Sequence, residues 1–179
     1  MLPFLLFETV FIHTLILIKS KNVRQVLNKN GQTSLKYKYK FPSSNEQMAI
    51  KGYYLALLLD KEKEDFPFTI HGLWPQYDAG HWPEFCADQP FDLERLRPLL
   101  PKLHKEWHSY RGSDEHFWEH EWLKHGTCTR MNELQYFTRA LQCYEKCKKQ
   151  GSIWVAAHFS GHTHNIPIDL DFNINHLVF

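Results

Sequence analysis

A chain of 179 residues suits one domain with a modest core. Its formal charge of +1 at pH 7 excludes the strongly basic balance of a protein that grips nucleic acid by charge alone. A nuclease, which must release its product, needs no such balance, and twelve histidines with six tryptophans supply titratable groups and either core packing or stacking surfaces.

Residues 1–18 are mostly apolar but are interrupted by Glu8 and His13 and lack a basic start. They read as a candidate signal peptide and are too short and too polar for a stable membrane span. Residues 19–47 form a polar, basic arm in which Lys36, Lys38 and Lys40 alternate with Tyr37, Tyr39 and Phe41, the pattern of an exposed or edge strand. Residues 53–59 are a continuous apolar run and predict a buried strand, followed by a charged loop over 61–65. From 66 to 74 the pattern is extended again, with Phe68 and Ile70 on one face and Thr69 and His71 on the other. Gly72 and Pro75 are expected to end this strand in a turn, which would put His71 near a strand terminus. Residues 75–90 read as a loop. Asp92 caps a short helix limited by Pro98, and a second short helix is expected over 99–107.

The clearest helix starts at Ser113 as N-cap, has Asp114 and Glu115 in its first turn, and meets Gly126 as a terminator. A last helix over 132–149 carries Leu134, Phe137, Leu141 and Tyr144 as its apolar stripe. Residues 151–179 show no clear periodicity. Strands and helices do not alternate regularly, so an α+β fold is expected rather than α/β. The chain divides into the apolar segment 1–18, the arm 19–47, a core over 48–150 and a divergent tail over 151–179. Cys86, Cys128, Cys143 and Cys147 form no C-x-x-C pair, which argues against a zinc ribbon or a thioredoxin-like motif, and three full pairings stay open.

The chemistry concentrates on the helix after Ser113. With His120 set at zero, Lys124 falls at about 40°, Phe117 at about 60°, Glu121 at about 100° and His125 at about 140° around the axis. Two imidazoles, a carboxylate and an ammonium thus share one side, while Trp122 and Leu123 can anchor the other. A set of this kind can cleave RNA without a cofactor, because the substrate brings its own nucleophile, the ribose 2′-OH. One imidazole takes the proton of that hydroxyl, and a second protonates the leaving 5′-oxygen. A fixed cation stabilises the charge that gathers on phosphate. The helix cannot supply the partner across the phosphate, and His71 is the candidate.

The segment Phe68-Thr69-Ile70-His71-Gly72-Leu73-Trp74-Pro75 resembles the first active-site segment of the ribonuclease T2 family. The segment Phe117-Trp118-Glu119-His120-Glu121-Trp122-Leu123-Lys124-His125-Gly126-Thr127-Cys128 resembles the second. The resemblance covers residues 53–145 and implies an antiparallel central sheet packed against several helices. It also implies a metal-independent, cofactor-free endoribonuclease acting on single-stranded RNA, with His125 as general base and His71 as general acid. Glu121 and Lys124 would support the phosphorane, and His120 would hold a phosphate oxygen. Trp74 would stack on the base at the cleavage site and Phe117 near its neighbour, each stack contributing about 1–3 kcal/mol. Products would be 2′,3′-cyclic phosphates opened to 3′-phosphates, and DNA would not be cut. A Cys86–Cys128 bridge is implied as well, which suits a secreted or endolysosomal or vacuolar protein and would stabilise it by about 2–4 kcal/mol. Cys143 and Cys147, one helical turn apart, are expected as buried free thiols, and the protein as a monomer.

The sequence departs from the family where residues 54–65 run through Leu-Leu-Leu-Asp instead of a Trp-Pro and cysteine segment, and again after residue 150. Gln76 stands where an acidic base-site residue is common. Two rival readings stand beside the ribonuclease. His158, His162 and His164, or His104 and His108, could hold a metal, but neither group forms His-Glu-x-x-His and no acidic partner is evident. A catalytically inactive RNA-binding or interaction protein on the same fold is the other.

Overall fold

The structure, a computed structural model, describes residues 23–27, 33–37, 49–77 and 81–176. The expected apolar segment 1–18 and the arm outside the two strands below lie outside the described residues. The chain forms two units, one up to Lys40 and one from Phe41 onward. In the first, β1 (Val23–Leu27) and β2 (Thr33–Tyr37) pair antiparallel, with Val23 opposite Tyr37.

The second unit has a four-stranded sheet of β3 (Gly52–Leu59), β4 (Phe68–Gln76), β5 (Phe159–Ser160) and β6 (Thr163–Ile168). The order is β4-β3-β6-β5 and every pairing is antiparallel. Its helices are α1 (Leu100–Glu106), α2 (Asp114–Lys124), α3 (Glu133–Gln150) and α4 (Ser152–Ala156), with 3-10 turns over Leu93–Leu99 and Gly126–Cys128. The fold is α+β with an antiparallel sheet against helices, as the sequence implied.

The run expected as a buried strand is β3, whose Leu55, Ala56 and Leu57 are fully enclosed. The expectation for the next strand needs correction. Gly72 and Pro75 do not end β4, which runs on to Gln76. β4 lies at the sheet edge, where a proline without an N–H costs no ladder bond on its outer side. His71 is therefore mid-strand rather than terminal. Leu57 pairs with Ile70 but Ala56 pairs with Gly72, so His71 is the extra residue of a β-bulge. Bulges re-aim side chains and are common beside active sites.

Ser113 caps α2 as expected, its side chain accepting from the His116 N–H at 3.2 Å. Gly126 does not end α2 through a left-handed conformation, because its φ is not positive. It lies against Trp122, whose Cε3 would be 2.1 Å from an added Cβ, so packing requires the glycine. α3 opens on a capping box between Asn132 and Gln135. Its buried side includes Tyr136, Phe137, Ala140, Leu141 and Tyr144, while Leu134, expected on that stripe, is 39% exposed on the helix flank. The tail also differs from expectation. β6 pairs along β3, with Ile166 and Ile168 in the core, and Pro167 together with Thr163, His164 and Asn165 obscures that alternation in the sequence. The core is strongly aromatic: Trp107, Trp118, Trp122, Tyr136 and Phe137 are fully buried where helices meet the sheet. No helix among the described residues is long and apolar enough to cross a membrane.

Candidate active site

Two elements carry the site. β4 supplies His71 from its bulge, then Gly72, Trp74 and Gln76. α2 supplies Phe117, His120, Glu121 and Lys124, and His125 follows as its C-cap, with its N–H donating to the Glu121 carbonyl at 2.9 Å. Glu121 and His125 are buried, and His71 and Trp74 are half-buried.

Glu121 joins the elements. The Trp74 indole N–H donates to its Oε2 at 3.0 Å, and Nε2 of His71 lies 3.6 Å from its Oε1. Gly72 makes room for this carboxyl, since an added Cβ would be 2.1 Å from Oε2. The Trp74 ring touches both imidazoles: its centroid is 5.4 Å from that of His71, edge-on, and 5.3 Å from that of His125, tilted by 30°. Phe117 meets His71 edge-on at 5.4 Å. His71, Trp74, Phe117, Glu121 and His125 thus converge. Lys124 and His120 stand to one side. Lys124 Nζ pairs with Glu84 at 3.2 Å, and the His120 ring lies 6.4 Å from that of Phe85.

A cleft of about 560 Å³ opens here, walled by Trp74, Gln76, Lys124 and His125 together with Tyr54, Trp82, Glu84, His158, Phe159, Ser160, Asn165 and Pro167. His71, Phe117, His120 and Glu121 are not among its walls. Its far side comes from the tail, in which the sequence showed no pattern. Trp82 and Glu84 fall in a stretch without periodicity, so nothing local marked them.

Burial sets the proton affinities. Desolvation, followed by the charges of Lys124 and His120, pulls His71 from its ordinary 6.5 down to about 4. Desolvation, then Lys124, His120 and His71, pulls His125 down to about 2. His120 is also lowered, by desolvation and then by Lys124 and His116. Desolvation pushes Glu121 up to about 8 against the opposing Trp74 hydrogen bond and Lys124, so its carboxyl is protonated at neutral pH.

Cys86 and Cys128 are joined in a disulfide, and Cys143 and Cys147 are buried free thiols. Among the described residues no three His, Cys, Asp or Glu side chains converge as a metal site. Three of the five candidate ligand histidines have other polar partners, two of them acidic. His104 lies 2.6 Å from Asp114, His108 lies 3.5 Å from Asp60, and His158 Nδ1 lies 2.9 Å from the Trp154 carbonyl oxygen.

Residues 53–157, more than half of the chain, match the Ribonuclease T2 family. The chain is similar to Ribonuclease 1 of Arabidopsis thaliana, at 42% identity over 92 residues that cover 48% of this chain and 40% of that protein. The chain spans about 40% of the length of the curated relatives it matches. Among solved structures it is similar to a mutant of RNase MC1 in complex with 5′-UMP, with TM-score 0.50, 27% identity and coverage of 63% of this chain and 65% of that one. It shares its fold with an RNase-related protein from Calystegia sepium, with TM-score 0.55, 22% identity and coverage of 70% and 89%. With a match that runs from β3 to α4, the chain belongs to the ribonuclease T2 family.

Proposed function

We propose that this protein is a metal-independent endoribonuclease that cleaves single-stranded RNA through a 2′,3′-cyclic phosphate. The observation that carries the reading is the convergence of His71, Trp74, Glu121 and His125 from two elements, with Trp74 and His125 facing the cleft. Family membership supports it. In the first step His125 takes the proton of the 2′-OH, the 2′-oxygen bonds to phosphorus, and the bond from phosphorus to the 5′-oxygen breaks as His71 delivers a proton there. In the second, His71 takes a proton from water, the water oxygen bonds to phosphorus, and the bond from phosphorus to the 2′-oxygen breaks as His125 returns its proton to that oxygen. A 3′-phosphate results. Glu121, Lys124 and His120 stabilise the charge on the phosphorane oxygens, and Trp74 and Phe117 flank the bases. DNA, lacking the 2′-hydroxyl, is not cut. The Cys86–Cys128 bond fits a secreted or endolysosomal or vacuolar lumen, and a monomer suffices for the site.

One observation favours the second reading, a non-catalytic RNA-binding module: Glu84 already neutralises Lys124. The deciding experiment incubates the protein with RNA and its all-deoxy analogue, in chelator, beside His71→Ala and His125→Ala. RNA-specific cutting that both substitutions reduce to a small residual rate supports the enzyme, and binding without cutting supports the module.

A further inference from the structure

We propose that Trp107 is a positioning residue for His71, its buried indole N–H clamping the bulge from which the imidazole projects. The inference rests on the ribonuclease reading only in naming what His71 does.

His71 has no partner residue on β3, so the ladder does not fix its backbone. Its carbonyl accepts from Trp107 Nε1 at 2.9 Å, and Trp107 is fully buried. Trp107 is itself held firmly. It caps the end of α1, its N–H donating to the Leu103 carbonyl at 2.7 Å, and its ring lies 4.9 Å from that of Phe137. Its carbonyl accepts from the indole N–H of Trp118, on α2, at 2.6 Å. One turn of the strand earlier, Thr69 Oγ1 donates to the Glu106 carbonyl at 2.8 Å. The end of α1 therefore grips β4 on both sides of Ile70. Through Trp107 it also links β4 to α2, the two elements that build the site.

The imidazole needs that grip, because its own ring is weakly held. Nδ1 is buried without a hydrogen-bond partner among the described residues. Nε2 is 3.6 Å from Glu121, beyond hydrogen-bond length. Edge contacts with Trp74 and Phe117 limit the ring without aiming it. The charged and titratable groups that face it are Glu121, Lys124, His120 and His125. The aim of the ring is thus the aim of the bulge, and Trp107 sets the bulge.

Trp107→Phe deletes the N–H and keeps an aromatic ring. On a dinucleotide substrate kcat should fall about 10- to 100-fold while KM stays within about twofold, the mark of a misplaced catalytic group. The His71 ring signals in NMR should titrate at higher pH as water reaches the loosened bulge, moving further than those of His125, on which His71 is the smallest of the named influences. In a His71→Ala background the same substitution should leave the residual rate unchanged, although its effect on unfolding persists. Incorporating the benzothienyl analogue of tryptophan, which replaces N–H by sulfur in the same shape, gives the same readings should the phenylalanine variant fail to fold. A folded variant with normal kcat and normal His71 titration overturns the proposal. So does an equal loss of rate with and without His71. If the parent protein cuts no RNA, the ribonuclease reading fails separately, and the His71 titration alone decides the clamp.

Discussion

Gly72 and Glu84 govern the site without bearing its chemistry. A methyl group at position 72 would sit 2.1 Å from Glu121 Oε2 and 2.4 Å from Trp74 Nε1. Gly72→Ala must therefore break the hydrogen bond between them. We expect kcat to fall about 100-fold, the cost of a displacement of about 1 Å, with about 1–3 kcal/mol lost in urea unfolding from overpacking. Glu84 acts on charge instead. It pairs with Lys124 and accepts from the Trp82 indole at 3.2 Å, so an incoming phosphate must compete with it. Glu84→Gln should lower KM for RNA by about 2- to 5-fold at low ionic strength and leave kcat unchanged. The pair is partly exposed, so salt should erase the gain. Steady-state kinetics at low and high salt check this, and a raised KM would refute it. His71, Trp74, Glu121 and His125 were legible because they lie in two contiguous segments. Glu84, Gly72 as a spacer and Trp107 were not, since each matters through a contact that sequence spacing does not encode.

At the scale of elements, the end of α2 shows how a loop completes a helix. Carbonyls of a last turn lack intrahelical partners. Here the Phe85 N–H donates to the Lys124 carbonyl at 2.8 Å, the Cys86 N–H donates to Thr127 Oγ1 at 3.2 Å, and the disulfide closes beside them. The bond spans 42 residues of chain and also fixes Glu84 against Lys124. Replacing both cysteines by serine should cost about 2–4 kcal/mol in denaturant unfolding. The parent protein with reductant should match the variant, and an unchanged midpoint in both would show that the hydrogen bonds alone hold the loop. α2 was legible from Ser113, Asp114 and Glu115, and α3 from its periodicity. β4 was not, because Pro75 reads as a break until its place at the sheet edge is known. The bulge at His71 is a relation between two strands, so no local pattern announces it. β6 stayed hidden because Pro167 separates Ile166 from Ile168 and three polar residues precede them.

Across the whole molecule, one buried set of groups ties catalysis and folding to pH in opposite senses. The proposed first step needs His125 neutral and His71 charged. With His125 near 2 and His71 near 4, that form peaks between those values and declines about tenfold per unit above them. The kcat/KM profile should therefore be acidic. The kcat profile should lie at higher pH, because bound phosphate favours the charged form of both imidazoles. Stability follows another course. Both histidines are lowered on folding, so the unfolded chain binds more protons below its ordinary 6.5, and stability is lost as pH falls through that value toward 4 and 2. Glu121 is raised to about 8, so its contribution is complete below its ordinary 4.5 and is lost as pH rises through 8. Thermal unfolding should thus show greatest stability between an acid limb set by the imidazoles and an alkaline limb set by Glu121. His125→Asn should weaken the first limb. Glu121→Gln should flatten the second, raising Tm at alkaline pH and leaving it unchanged near pH 4, while kcat falls. The molecule then works on the acid side of its stability maximum, where the disulfide and the aromatic core must offset the charging of its own imidazoles. A kcat/KM profile level from pH 4 to 8, or an alkaline limb that survives Glu121→Gln, would overturn this account of the site.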